Sequence, residues 1–114
     1  MITTFCSKAS GDVIMFGDVA ARMLAHMGKL AGTQGIVTVE QLPTAIAGLE
    51  AAVSAEKEEL KSTDPEELPL FEMAPDGSRR PWVSLRQRAT PLLELMQRSL
   101  KKKVVVTWSS AGAC

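Results

Sequence analysis

The sequence predicts an α+β domain: a small antiparallel sheet, built from an N-terminal hairpin and one C-terminal strand, with three helices on one face in the order β-β-α-α-α-β. Three observations lead there. Two short runs rich in β-formers, Ile2 to Lys8 and Val13 to Phe16, are separated by Ala9-Ser10-Gly11. Stretches after Gly17, Leu42 and Ser84 repeat apolar residues at the 3.6-residue period of an amphipathic helix. Near the C-terminus Val104-Val105-Val106-Thr107-Trp108 is β-branched and aromatic throughout.

In the hairpin, Gly11 is expected to supply the positive φ of a short loop, with Lys8 and Asp12 as polar shoulders. Apolar bulk falls on both faces of these strands, because period-2 alternation puts Phe5 opposite Ile2 and Cys6. One helical layer covers one face only, so the other needs a partner, and Phe5 and Phe16 are candidates for it.

Gly17-Asp18 turns the chain into the first helix, with Asp18 as N-cap, Val19, Ala20, Met23, Leu24 and Met27 as its buried side, and Gly28 ending it. The segment Ala31-Gly32-Thr33-Gln34-Gly35 reads as a loop leading to Ile36-Val37. It has neither GxGxxG nor a GK[ST] ending, so a phosphate loop is disfavoured. Thr38 and Gln41 form a capping-box pattern ahead of a main helix from Pro43 to about Leu60. Val39, Leu42, Ile46, Leu49, Val53 and Leu60 follow a helical repeat built on steps of 3 and 4, a core stripe rather than a dimer zipper.

From Ser62 to Pro81 the composition changes. Pro65, Pro69, Pro75, Pro81 and the turn Asp76-Gly77 exclude long regular structure, and the stretch reads as a Pro-rich loop. It nevertheless carries Leu68, Leu70, Phe71 and Met73, which are costly to leave wet and are expected to dock on the domain or on another chain.

The third helix carries Leu85, Ala89, Leu92, Leu93, Met96 and Leu100 as one stripe, with Gln87, Glu94 and Arg98 opposite. Ser84 and Gln87 form its capping box, Pro91 sits on the polar side, and Lys101-Lys102-Lys103 suit a helix C-terminus. The tail from Ser109 to Cys114 is small and uncommitted, and is expected to fray.

A chain of 114 residues is one domain, here with 46% hydrophobic but only 4% aromatic residues and no tyrosine, so its core is aliphatic and Met-rich. Cys6 and Cys114 have no CxxC spacing and imply no disulfide framework, hence a reducing compartment. No basic leader with an apolar run, and no apolar run near the roughly 20 residues of a membrane span, is present; the expectation is a soluble cytoplasmic chain without a membrane segment.

Net charge is zero but uneven. Residues 1–78 hold 5 basic against 12 acidic residues, −7, and residues 79–114 hold 8 basic against 1 acidic, +7. Arg79, Arg80, Arg86, Arg88 and Arg98 would suit a nucleic-acid surface. The favoured account is internal complementarity with Glu56, Glu58, Glu59, Glu66 and Glu67, since the overall balance lacks the basic excess of a nucleic-acid binder.

No nucleophile–base pair, metal cluster or cofactor loop is visible: no catalytic, cofactor-binding or metal-ligating residue is assigned, no cofactor is expected, and the single histidine, His26, has no partner at ligand spacing. The chain therefore reads as a non-enzymatic interaction protein, a homodimer or protein-binding module, with Phe5, Phe16, Leu70, Phe71, Met73, Arg86 and Arg88 as its contact surface. The alternative is an enzyme or small-ligand site at the strand-to-helix corner around Asp12, Asp18 and Arg22. A nucleic-acid adaptor using residues 79–103 comes third.

The segments Gly11-Asp12-Val13-Ile14-Met15-Phe16-Gly17-Asp18, Gly35-Ile36-Val37 through Leu42-Pro43-Thr44-Ala45-Ile46, and Val83-Ser84-Leu85-Arg86-Gln87-Arg88-Ala89 with Pro91-Leu92-Leu93-Glu94 resemble a small uncharacterised family, domain of unknown function 1840. The resemblance spans nearly the whole chain outside Ser62–Pro81. It implies a bacterial, chiefly proteobacterial, setting and carries over no catalytic or binding residue.

Overall fold

The computed structural model describes residues 2–111. Strands β1 (Ile2–Ser7) and β2 (Ser10–Phe16) form a hairpin, followed by helix α1 (Gly17–His26), strand β3 (Gln34–Val37) and helix α2 (Leu42–Lys61). A single 3-10 turn at Pro65–Glu67 leads to a small hairpin, β4 (Phe71–Met73) and β5 (Arg79–Pro81), then helix α3 (Leu85–Lys102) and strand β6 (Val106–Ser109). The expected α+β class and the order of the principal elements hold.

The main sheet is antiparallel with strand order β2-β1-β6-β3, and β4 pairs only with β5. Register decides which face is covered. Phe5 lies opposite both Val13 and Trp108, Trp108 lies opposite Gly35, and Val106 opposite Val37. These residues share one face, and α1 and α3 close over it. Phe5, Val37, Val106, Val19, Leu24, Leu42, Leu49, Leu92, Leu95 and Met96 are all fully buried in one core. Gly35 is required by its neighbour: a Cβ there would stand 2.1 Å from Trp108 Cζ2. Gly48 on α2 does the same for a helix crossing, because its Cβ would meet the His26 carbonyl oxygen at 2.2 Å.

The ends of the helices follow local chemistry. Gln41 accepts from the Thr38 N–H (3.2 Å) and its own N–H donates to Thr38 Oγ1 (3.3 Å), as the capping-box pattern predicts. Ser84 caps α3 by accepting from the Gln87 N–H, and the Glu56 carboxylate accepts from the Leu85 N–H at 2.9 and 3.1 Å. Helix α3 continues through Pro91, which lies on its exposed side. Its buried residues include Leu95 and Ser99, outside the expected stripe. Ser99 is satisfied although buried: its hydroxyl donates to the Leu95 carbonyl (2.6 Å) and takes the Ser7 hydroxyl (2.6 Å).

Several expectations are corrected. The β1–β2 turn is the two-residue Lys8-Ala9, and Gly11 lies within β2 without a positive φ. Asp18 sits in the first turn of α1 rather than at its N-cap, which is Phe16. The stretch before Val37 is not wholly loop, since Gln34 already pairs with Ser109 as part of β3. Ser109 belongs to β6, and the Ser110 N–H donates to the Thr33 carbonyl at 2.7 Å, so the chain is held at least that far. Residues 112–114, with Cys114, lie outside the described residues. Cys6 is not a free thiol, so the lack of CxxC spacing does not exclude a bonded cysteine and gives no ground for a reducing compartment. Phe5, proposed for the uncovered face, is the centre of the covered one, because it alternates with Ile2 and pairs with Trp108.

Candidate functional site

The segment from Ser62 to Pro81 holds the feature that distinguishes this domain. The strands of the β4–β5 hairpin pair Phe71 with Pro81, Glu72 with Arg80 and Met73 with Arg79. Gly77, at φ 87°, and the Asp76 side chain, which accepts from Ser78, shape the tip. Alternation then sorts the hairpin into two faces. Glu72 and Arg80 point toward the domain, while Phe71, Met73, Arg79 and Pro81 point away from it. This is the reverse of an ordinary surface strand, which buries its apolar side. Leu70 is 80% exposed, Met73 67% and Phe71 54%; the Arg79 guanidinium lies 5.3 Å from the centre of the Phe71 ring.

The inward face is an ion cluster. Arg80 reaches both Asp18 carboxylate oxygens, at 3.2 and 2.5 Å, and its guanidinium lies 4.7 Å from the Phe16 ring centre. Glu72 receives a short hydrogen bond from Arg88 of α3, lies 3.4 Å from Arg80 Nε and 3.7 Å from Arg22 of α1. Arg80 and Glu72 side chains are only 12% and 18% exposed. The hydrogen bond from Arg80 holds the Asp18 carboxyl below the usual carboxylate range, against the opposing effect of burial, and Asp18 in turn raises Arg80. Three guanidiniums thus meet two carboxylates, and Nε of both Arg80 and Arg88 is buried without a hydrogen-bond partner.

The hairpin is fastened by charge and little else. The connected core contains no residue between Val53 and Leu85. A cluster of this kind gains Coulomb energy but loses comparable hydration, so it fixes position more than it adds stability.

Of the residues proposed for a contact surface, Phe16, Leu70, Phe71, Met73 and Arg86 are exposed, whereas Phe5 is in the core and Arg88 is engaged with Glu72. Asp18 and Arg22 join the ion cluster, but Asp12, further along β2, takes no part in it. The charge complementarity expected between the arginines and the glutamates of residues 56–67 is met by other carboxylates: Arg80 and Arg88 pair with Asp18 and Glu72, Glu56 accepts from the α3 backbone, and Glu58 pairs with Lys61. Glu72 was missed by sequence reasoning. Its signal was the alternation Phe71-Glu72-Met73 facing Arg79-Arg80-Pro81 across Asp76-Gly77, a hairpin pattern outweighed by the density of proline.

Two grooves flank Phe16. One, of about 520 Å³, runs between β2 and the first half of α3 and is lined by Asp12, Val13, Ile14, Phe16, Val19 and Arg88 among others. The other, of about 460 Å³, lies between the hairpin tip and the start of α1, beside Asp18, Asp76, Ser78 and Arg80. Among the described residues no group of acidic, histidine or cysteine side chains is placed to hold a metal ion, and no helix is long and apolar enough to cross a membrane.

No curated protein and no solved structure matches this chain. One family does, from β1 through all but the last residue of β6. Its model covers residues 1–108, and the chain belongs to that family, the domain of unknown function 1840 (DUF1840).

Proposed function

We propose that the chain is a small, cytoplasmic, non-enzymatic interaction protein that assembles as a homodimer through the outward face of the β4–β5 hairpin. The observation that carries this reading is the inverted polarity of the hairpin. A segment that folded only to close a loop would turn Phe71 and Met73 inward and leave Glu72 and Arg80 in water. Here the opposite holds, and Leu70, Phe71, Met73 and Pro81 form an exposed apolar surface beside Arg79. Arginine and aromatic side chains together are the composition enriched at protein contacts. A second copy is the favoured occupant because a symmetric pair needs no other component, and a chain of zero net charge meets no long-range repulsion from itself.

Light scattering on the purified chain tests the proposal. The expected result is twice the chain mass at micromolar concentration, falling to the single-chain mass in a Phe71→Ser, Met73→Ser double variant, whose exposed positions leave the core untouched. A natural chain that stays monomeric across that range contradicts the homodimer.

A further inference from the structure

The sheet ends in two edges of unequal character. Strand order β2-β1-β6-β3 leaves β2 and β3 each paired on one side only. Strand β3 is four residues long, and its Gly35 is occupied by Trp108. Strand β2 has seven residues, including Val13-Ile14-Met15-Phe16 in succession. Folded chains guard such edges with lysine, proline, bulges or a covering element, since an open apolar edge recruits other strands. Strand β2 carries Asp12 as its one charge and no proline, and its one irregularity against β1 falls between Ser10 and Val13, which leaves the run Val13 to Phe16 regular.

A groove follows this edge. Its lining includes Val13 and Met15, which face the core, together with Ile14 and Phe16, which face outward. Residues of both alternations line one groove only where it runs along the strand edge rather than over a sheet face. The opposite wall is α3, contributing Gln87, Arg88 and Pro91. Arg98 reaches Ser10 at 3.5 Å at the far end of β2, so α3 runs antiparallel to the strand and Arg88 lies toward Phe16. The groove is therefore polar at its ends and apolar between: Arg88, with the surplus positive charge of its cluster and an unpartnered Nε, at one end, and Asp12 at the other.

We propose that this edge is a docking site for an extended segment of another protein, added as a further strand antiparallel to β2, with an acidic residue toward Arg88 and a basic residue toward Asp12. Strand addition uses the open backbone edge for affinity and the side chains for specificity. The antiparallel direction follows from the sheet, in which every pairing is antiparallel. Asp12 and Phe16 are four residues apart, about 13 Å along a strand, which sets the partner's charges at the spacing Glu-x-x-x-Lys when it runs antiparallel. The site is separate from the outward face of the hairpin and stands whether or not the chain dimerises there.

The test is an NMR titration of the isotope-labelled chain with a capped peptide Glu-Val-Thr-Val-Lys, its charge-swapped form Lys-Val-Thr-Val-Glu, and a form with proline in place of the central threonine. Saturable shifts on amides of residues 11–16, strongest for the first peptide and absent for the proline form, support the site. Asp12→Lys, at an exposed position, should weaken the first peptide about two- to five-fold, the scale of one exposed ion pair. No shift at millimolar peptide, equal binding of the charge-swapped peptide, or shifts confined to residues 71–81 would each overturn it.

Discussion

Arg80, on the second strand of the small hairpin, grips both oxygens of Asp18 on α1 while its flat face covers the Phe16 ring. That contact joins segments 62 residues apart in sequence and fixes where the hairpin lies. Because the attachment is ionic, the hairpin is expected to open locally without unfolding the core. In Arg80→Met, the amides of residues 72 and 80 should exchange with solvent faster, as they should in the natural chain on adding salt, while those of α3 and β6 keep their protection. Uniform loss of protection throughout the chain would show that the hairpin is integral to the core instead.

The same pair predicts an acid response. Asp18 has its carboxyl held below the usual range by hydrogen bonding to Arg80, so its contribution is fully present above the ordinary carboxylate pKa and is lost as pH falls through the lowered value. Hairpin opening should therefore rise on acidification below about pH 4. Asp18→Asn should reduce that rise, leaving the part that Glu72 contributes, and loosen the hairpin at neutral pH. Hairpin protection factors that stay unchanged from pH 7 to 3 in the natural chain contradict the assignment.

Much of this fold is legible in the sequence because its signals are local. The α3 stripe at Leu85, Ala89, Leu92 and Met96, the capping residues Thr38, Gln41 and Ser84, and the terminal strand at Val106 to Trp108 all declare themselves within a turn or two of chain. What was hidden depends on distant neighbours. Phe5 alternates as well for one face as for the other, and only its register with Trp108 turns it inward. Gln34 and Gly35 are a strand because β6 lies beside them. Glu72 and Arg80 are inward because Asp18, Arg22 and Arg88 await them from two helices. For the candidate contact surface, composition names Leu70, Phe71 and Met73, whereas their exposure and the polarity that presents them depend on the ion cluster beneath.

The core carries its own expectation. Leu92 and Met96 are fully buried, and either to alanine should cost about 2–5 kcal/mol through the cavity left behind. Urea denaturation followed by circular dichroism measures it; an unshifted midpoint would mean that α3 does not pack as described.

At Gly35 the predicted effect is the reverse, too much volume. A methyl group there would overlap the Trp108 ring, so Gly35→Ala should cost about 1–3 kcal/mol by overpacking and perturb the near-ultraviolet signal of Trp108. A variant as stable as the natural chain, with an unaltered tryptophan signal, would refute the close approach of β3 to β6.

The claim that the hairpin turns its apolar face to a second copy is tested most directly by intermolecular NOEs in a mixture of differently labelled chains. Cross-peaks are expected between the Met73 methyl group of one copy and the Phe71 ring of the other, lost in Phe71→Ser. A dimer whose only intermolecular contacts fall elsewhere, or a mixture with none at a concentration of several hundred micromolar, would contradict it.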